Sequence, residues 1–287
     1  MARTIRGRSD LGQWDLTYGT ADPRVAGHVL GYQGYTERLS GPLRWWEVPG
    51  SKVPLIIDLG TGFRLLDPHD GSVKAEHGSF VAGFHAGPAV PESDGRACCL
   101  QVDFTPIGAH LFLGVPMHEL TDLVVDARDV LGAAAIRLAV RLHETPSWHA
   151  RFRLVDDFIA RRIEAARPPS PEVTWAWDRL EDTAGRVEIG ALAADLAWSH
   201  RRLIARFREH VGVPPKLLAR ILRFERAVGR IDSGAGLSWT DIALTCGYYH
   251  QAHLIRDFRE LAGKTPTELA LQRTGVNSVQ DAEPVFA

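Results

Sequence analysis

Two short stretches of this 287-residue chain carry, at helical spacing, side chains suited to reading nucleic-acid bases. The first holds Ser199, His200, Arg201, Arg202, Arg206 and Arg208, and the second holds His250, Gln251, His253, Arg256 and Arg259. Arg can bond guanine O6 and N7 together, Gln can bond adenine N6 and N7, and exposed methyls such as those of Ala205 and Ala252 can touch a thymine methyl. Ser199 suits the N-cap of the helix that follows it, because its hydroxyl accepts from an otherwise orphaned backbone N–H.

Base-reading side chains need a helix whose inner face is buried and whose outer face is free. The flanking residues supply that twice. The first copy reads Leu192, Ala193, Ala197, Trp198, Leu203, Phe207, Glu209, Gly212 and Pro215; the second reads Ile242, Ala243, Gly247, Tyr248, Leu254, Phe258, Glu260, Gly263 and Pro266. In each, a short apolar helix leads through a turn to a second helix, where Leu203 and Phe207, or Leu254 and Phe258, lie four residues apart on one face. Between the copies, Pro214 to Ile231 reads as one helix, with Leu217, Ile221, Phe224, Val228 and Ile231 inward. Its Arg220, Arg223, Arg226 and Arg230 are expected outward, Arg220 and Arg226 against phosphate. Bundle helices with a solvated arginine face could produce one such unit; duplication with matching turns favours a pair of groove readers.

The net charge of −2 hides an uneven distribution. Residues 186–272 carry 13 Lys and Arg against 9 Asp and Glu, and residues 199–230 carry nine against two. A local basic excess of this kind neutralises phosphates.

The first hundred residues read as short strands bounded by Gly, Pro, Asp or Ser: residues 44–48, 53–59, 63–66, 79–84 and 97–104. Pro54 places the start of its strand at an edge or a bulge. The spacing predicts a small antiparallel barrel or sandwich. Helical periodicity follows at 107–113, 130–142 and 152–163, and Arg167 to Pro171 halts it. The expected fold is therefore α+β: a β-rich domain with following helices over 1–166, a linker at 167–171, an all-α double helix-turn-helix over 172–272, and a polar flexible tail at 273–287.

The segment from Cys246 to Pro266 closely resembles the signature of the AraC/XylS transcriptional regulators, and the resemblance extends back to about Val187, with Arg223 and Ala227 matching the family's linker helix. It implies two helix-turn-helix units entering successive major grooves, with Arg256 at a DNA-contacting position beside Gln251 and His253. Two positions depart from the family. Ala205 stands where the first copy would carry its arginine, and His250 where Asp or Ser commonly caps the helix. Phe104 to Pro116, with Glu119, Leu120 and Asp122, looks like the region after the strands in a subgroup whose effector or dimerisation domain has no assigned ligand. Sensor domains of the wider family are often cupin-like barrels.

The reading that follows is a non-enzymatic, sequence-specific transcriptional regulator. Its expected partners are double-stranded promoter DNA, RNA polymerase if it activates, a small-molecule effector and a second copy as a homodimer. Trp45, Trp46, Phe63, Phe80 and Phe84 are candidates to line an effector pocket; a filled core is the alternative. Adjacent Trp45 and Trp46 should face opposite ways. The runner-up is a cupin-type small-molecule enzyme or binding protein with a helical appendage, followed by an adaptor that uses the helices for protein contacts. His69, His77, His85 and His110 are scattered, so neither metal nor cofactor is expected. Cys98, Cys99 and Cys246 are expected as reduced thiols. With no apolar run of membrane-spanning length and no secretory h-region at the start, the cytoplasm is the expected location.

Overall fold

The computed structural model describes residues 3–233 and 237–275. Strands β1 (Arg3–Ser9), β2 (Gly12–Gly19), β3 (Val29–Leu39), β5 (Val53–Asp58), β8 (Phe80–Ala82), β10 (Cys98–Phe104) and β11 (Val124–Asp126) form one antiparallel sheet in the order β1-β2-β3-β10-β5-β8-β11. A second sheet runs β4 (Leu43–Arg44), β9 (Val90–Ser93), β6 (Phe63–Leu66), β7 (Val73–His77). The strand expected over 44–48 is shorter: only Leu43–Arg44 pair regularly, with one further bridge from Glu47 to Ala89. Pro54 pairs with Asp103 of β10, while the β5–β8 ladder begins only at Leu55, so the proline lies beyond the end of that ladder.

The central strands of the large sheet, β3, β5 and β10, are buried on both faces, which accounts for their mixture of apolar runs and alternation. Leu55 and Ile57 face the helices and Ile56 faces the small sheet; Leu100, Val102 and Phe104 likewise oppose Cys99. Between the sheets Tyr35, Trp45, Phe63 and Phe80 make successive ring contacts at 6.1 to 6.3 Å. The three cysteines are free thiols, and burial pushes the Cys99 thiol up.

Helices α1 (Pro106–Leu113), α2 (Ala127–Leu131), α3 (Ala133–Glu144) and α4 (Trp148–Glu164) follow, with a one-turn 3-10 helix at Met117–Glu119. Thr105 caps α1 and Ser147 caps α4 through their hydroxyls. Phe152 of α4 stacks on Tyr32 and Trp148 stacks on Phe152 over one face of the large sheet, and Gly34 permits this because a Cβ there would lie 2.3 Å from the Trp148 ring. The Tyr32 hydroxyl donates to Asp156 Oδ1 at 2.6 Å, which pairs the buried carboxylate.

The remaining helices are α5 (Pro171–Asp182), α6 (Ile189–Asp195), α7 (His200–His210), α8 (Pro215–Asp232), α9 (Trp239–Thr245), α10 (Gln251–Ala262) and α11 (Pro266–Gly275). Residues 167–170 form the non-helical break before α5. One continuous buried core nevertheless runs from Val25 through the sheet and α1–α7 to Leu222, midway along α8. A separate core begins at Phe224 and holds α9, α10 and Leu269 of α11. The tail expected over 273–287 overlaps a helix at its start: α11 continues through Gly275, and Arg273 is ion-paired with Asp232 of α8. The rest of that tail, 276–287, lies outside the described residues. Among the described residues, no helix is long and apolar enough to cross a membrane.

Candidate nucleic-acid interface

Each repeated stretch forms a helix-turn-helix. In the first, Leu192 and Ala193 of α6 pack with Leu203 and Phe207 of α7, all buried, and Ser199 Oγ accepts from Arg202 N at 3.2 Å as the cap of α7. In the second, Ile242, Ala243 and Cys246 pack with Leu254 and Phe258 of α10, and Phe258 also meets Phe224 of α8 at 4.8 Å. The departure at His250 proves to be a working cap: its Nδ1 accepts from His253 N at 3.1 Å, which requires that nitrogen to be unprotonated.

The two turns achieve the same left-handed bend with different residues. Gly247 has φ +83°, and a Cβ there would lie 2.7 Å from Arg186 Cγ; Ala197 occupies φ +50° in the first unit. A left-handed L-residue costs about 1–2 kcal/mol, and the extra chain entropy of glycine offsets about 0.5–1 kcal/mol of any relief. Gly247→Ala is therefore expected to destabilise the second unit by about 0.5–1 kcal/mol through the backbone, with the Arg186 contact adding to the loss, and Ala197→Gly to stabilise the first by about 0.5–1 kcal/mol. Opposite signs in thermal unfolding would verify the assignment; equal signs would refute it.

The candidate reading residues differ in their freedom. His200 and Arg201 are exposed at the start of α7, while the Arg202 guanidinium lies 4.5 Å above the Trp198 ring. Arg206 is paired with Glu209 at 2.7 Å, and Arg208 is exposed. On α10, Gln251 Oε1 accepts from Thr240 Oγ1 at 3.2 Å, and His253 packs edge-on against Tyr248 at 5.3 Å. Burial holds the His253 imidazole below its ordinary value; Asp257 opposes this, while Arg256 and Arg223 add to it. Arg201, Arg208, Arg256 and Arg259 are exposed and form no ion pair among the described residues. Tyr249 is 87% exposed, with its ring centre 5.5 Å from that of His250. Adjacent tyrosines in the sequence do not reveal which one is buried, and Tyr248 takes that role.

The outward arginines expected on α8 need correction. Arg220 Nε donates to Asp257 Oδ1 at 2.8 Å, its NH2 group bonds Glu260, and Asp257 is 1% exposed. Arg223 donates to the Gly185 carbonyl at 2.6 Å and lies 5.8 Å from the Tyr248 ring centre. Both fasten the helix-turn-helix units to α8, because the buried carboxylate and the turn carbonyl need donors. Arg230 remains exposed and Arg226 half-buried.

The N-terminal body touches both units. Thr121 Oγ1 donates to the Gly212 carbonyl at 2.8 Å, just past the end of α7. Trp46 Nε1 donates to the Ala262 carbonyl at 3.0 Å, with Lys264 Nζ 4.0 Å from its ring centre. Ser51 N donates to Glu225 Oε2 on α8 at 3.2 Å. The five aromatic candidates are thus dispersed: Trp45, Phe63 and Phe80 meet between the sheets, Phe84 belongs to the helix-side core, and Trp46 docks on the second unit. A cavity of about 520 Å³ opens beside Phe63, bordered by Asp58, Arg64, His77, Glu92 and Asp94.

Residues 192–272 match the family model described as helix-turn-helix domain, and residues 47–126 match one described as domain of unknown function (DUF6597). No curated protein matches the chain. Solved structures similar to it include ToxT from Vibrio cholerae, with 11% identity and a TM-score of 0.47 over 85% of this chain and 99% of that one. Unsaturated fatty acid-bound wild-type ToxT gives 11% identity and 0.44 over 97% of each chain. The AraC-like transcriptional activator CuxR gives 14% identity and 0.32 over 79% of this chain and 86% of that one.

Proposed function

We propose, from the premise that residues 192–272 are a helix-turn-helix domain resembling the AraC type, that the chain is a sequence-specific DNA-binding transcriptional regulator. The observation that carries this reading is the pair of buried-inside, basic-outside helices α7 and α10, joined by one helix and each capped at the end that would approach the bases. His200, Arg201 and Arg208 on the first helix, and Gln251, Arg256 and Arg259 on the second, are the proposed reading and phosphate-contacting groups. Arg202 and His253, braced by Trp198 and Tyr248, present pre-oriented polar tips. Because the two sets differ in residue type, the units are proposed to read different half-sites.

The N-terminal body is proposed to receive a small polar effector at the cavity beside Phe63, where that ring is the aromatic member of a lining otherwise made of glycines and of polar and charged groups such as Arg64, His77 and Glu92. A homodimer in the cytoplasm, contacting RNA polymerase if it activates, completes the proposal. Doubling the sites raises affinity without new contacts, and exposed Ile136 and Val140 on α3 give such a pairing an apolar face.

Selection of genomic fragments followed by salt-titrated binding tests the reading. The logarithm of the affinity for the selected fragment should fall linearly with log salt, at a slope of about −0.9 per phosphate neutralised, and the affinity should exceed that for scrambled DNA by roughly a thousandfold or more. Salt-insensitive binding, or equal affinity for both, would remove DNA recognition as the function.

A further inference from the structure

The first reading helix ends on a histidine that meets another histidine from the N-terminal body. His210, the last residue of α7 and 9% exposed, faces His110 of α1 edge-on, with ring centres 4.6 Å apart. His210 Nδ1 lies 3.0 Å from His110 Nε2, and His110 Nδ1 lies 2.9 Å from the Val115 carbonyl. A carbonyl only accepts, so His110 Nδ1 carries a proton and the Nε2 of the neutral ring is bare. That nitrogen accepts from His210 Nδ1–H, which leaves His210 Nε2 bare, 3.9 Å from Glu209 Oε2. One backbone carbonyl therefore sets the tautomers of two rings 100 residues apart.

We propose that the His110–His210 pair is a proton-operated latch, which holds the first reading helix on the N-terminal body and releases it when both rings are charged. The first added proton is tolerated. With His110 doubly protonated, its Nε2–H donates to His210 Nδ1, and His210 moves its own proton to Nε2, toward Glu209. A second proton sets N–H against N–H and two cations together, His210 buried and His110 half-buried, which no tautomer relieves. Thr121 and Gly212, bonded across the same seam, would separate with it.

The surrounding charges relieve the doubly protonated pair only in part. On α7 Glu209 favours the charged rings, but it is shared with Arg206 at 2.7 Å and is itself well exposed. On α4 Arg162 is spent on the Phe112 carbonyl; on the one-turn helix His118 and Glu119 are exposed. Asp195 of α6 and Lys216 of α8 are also exposed, and Glu172 at the start of α5 acts on Arg202 at the other end of α7. Burial holds the His210 imidazole below its ordinary value, His110 reinforces this, Glu209 opposes it and Arg206 adds to it. A depressed imidazole means that the closed seam binds protons less readily than the open one. The latch is thus at full strength above the ordinary histidine value of about 6.5 and weakens as pH falls below it.

Hydrogen exchange on the full chain tests the latch without DNA, so its outcome is independent of the DNA-binding proposal. Between about pH 8 and about pH 5, protection factors across residues 207–213 and 117–121 should fall by roughly tenfold or more, while those at Ala262 and Gly263, under Trp46, should hold. In the double variant His110→Gln, His210→Asn, whose amides stand in for Nε2 and Nδ1 without titrating, protection should be independent of pH. An equal loss in the double variant, or no loss in the parent chain, overturns the latch. Should the variant fail to fold, NMR titration of the parent chain decides. A depressed, two-step titration of the His210 ring supports the latch, and a single step at the ordinary value overturns it.

Discussion

Replacing Arg256 with alanine is expected to cost about 1–3 kcal/mol of specific DNA binding, roughly 5- to 150-fold, and to relax preference at one base pair. Arg256 lies on the exposed face of α10, opposite buried Leu254 and Phe258, and makes no ion pair among the described residues. Its guanidinium is thus not committed to the fold, and its removal should leave thermal unfolding within about 0.5 kcal/mol of the parent. Lysine should not restore the loss, since a point charge lacks the two parallel donors that guanine O6 and N7 accept from. Binding to a library randomised over the selected site is the measurement. Unchanged preference at every base pair, or a loss equal on specific and scrambled DNA, would reassign Arg256 to phosphate or to solvent.

Arg220→Ala should have the opposite profile, damaging the fold rather than the readout. Removing this guanidinium leaves Asp257, 1% exposed, as a buried charge without its counter-ion. Breaking such a pair costs about 3–5 kcal/mol, a large share of what holds a small unit together. Exchange protection in α10 should collapse while that in the sheet persists, because α10 and the sheet belong to different buried cores. Adding Asp257→Leu to Arg220→Met should recover most of the loss, since an apolar pair of similar bulk needs no counter-ion. If Arg220→Ala leaves α10 intact and weakens all DNA uniformly, Arg220 is a phosphate contact after all.

These two arginines mark where sequence reasoning reaches and where it stops. The Leu203/Phe207 and Leu254/Phe258 pairs, the Ser199 cap and the exposure of Arg201 and Arg256 follow from helical period and turn chemistry, both local properties. Arg220 has the same period, yet its role depends on a carboxylate 37 residues away that faces inward only because α10 packs against α8. Trp46 and Ala262 are 216 residues apart, and His110 and His210 are 100 apart; nothing in the neighbouring residues announces either contact. Strands were legible where apolar runs lie between Gly and Pro, as at 53–58 and 98–104. They were not in β1–β3, where polar residues and glycines interrupt the alternation and Gly34 exists to admit the Trp148 ring.

The division of the buried interior partway along α8 has a consequence for how such a gene could be recombined. The proline break at 167–170 looks like the natural place to exchange one sensory half for another, but a cut there would strip the first helix-turn-helix of the packing it shares with α1 and the one-turn helix at Met117–Glu119. The portable cassette instead ends between Leu222 and Phe224, inside an unbroken helix, and carries one reading head with it. A chimaera joined at that point, keeping Trp46 with its seat on Ala262 and Arg220 with Asp257 across the joint, should inherit the first half-site from one parent and the second from the other.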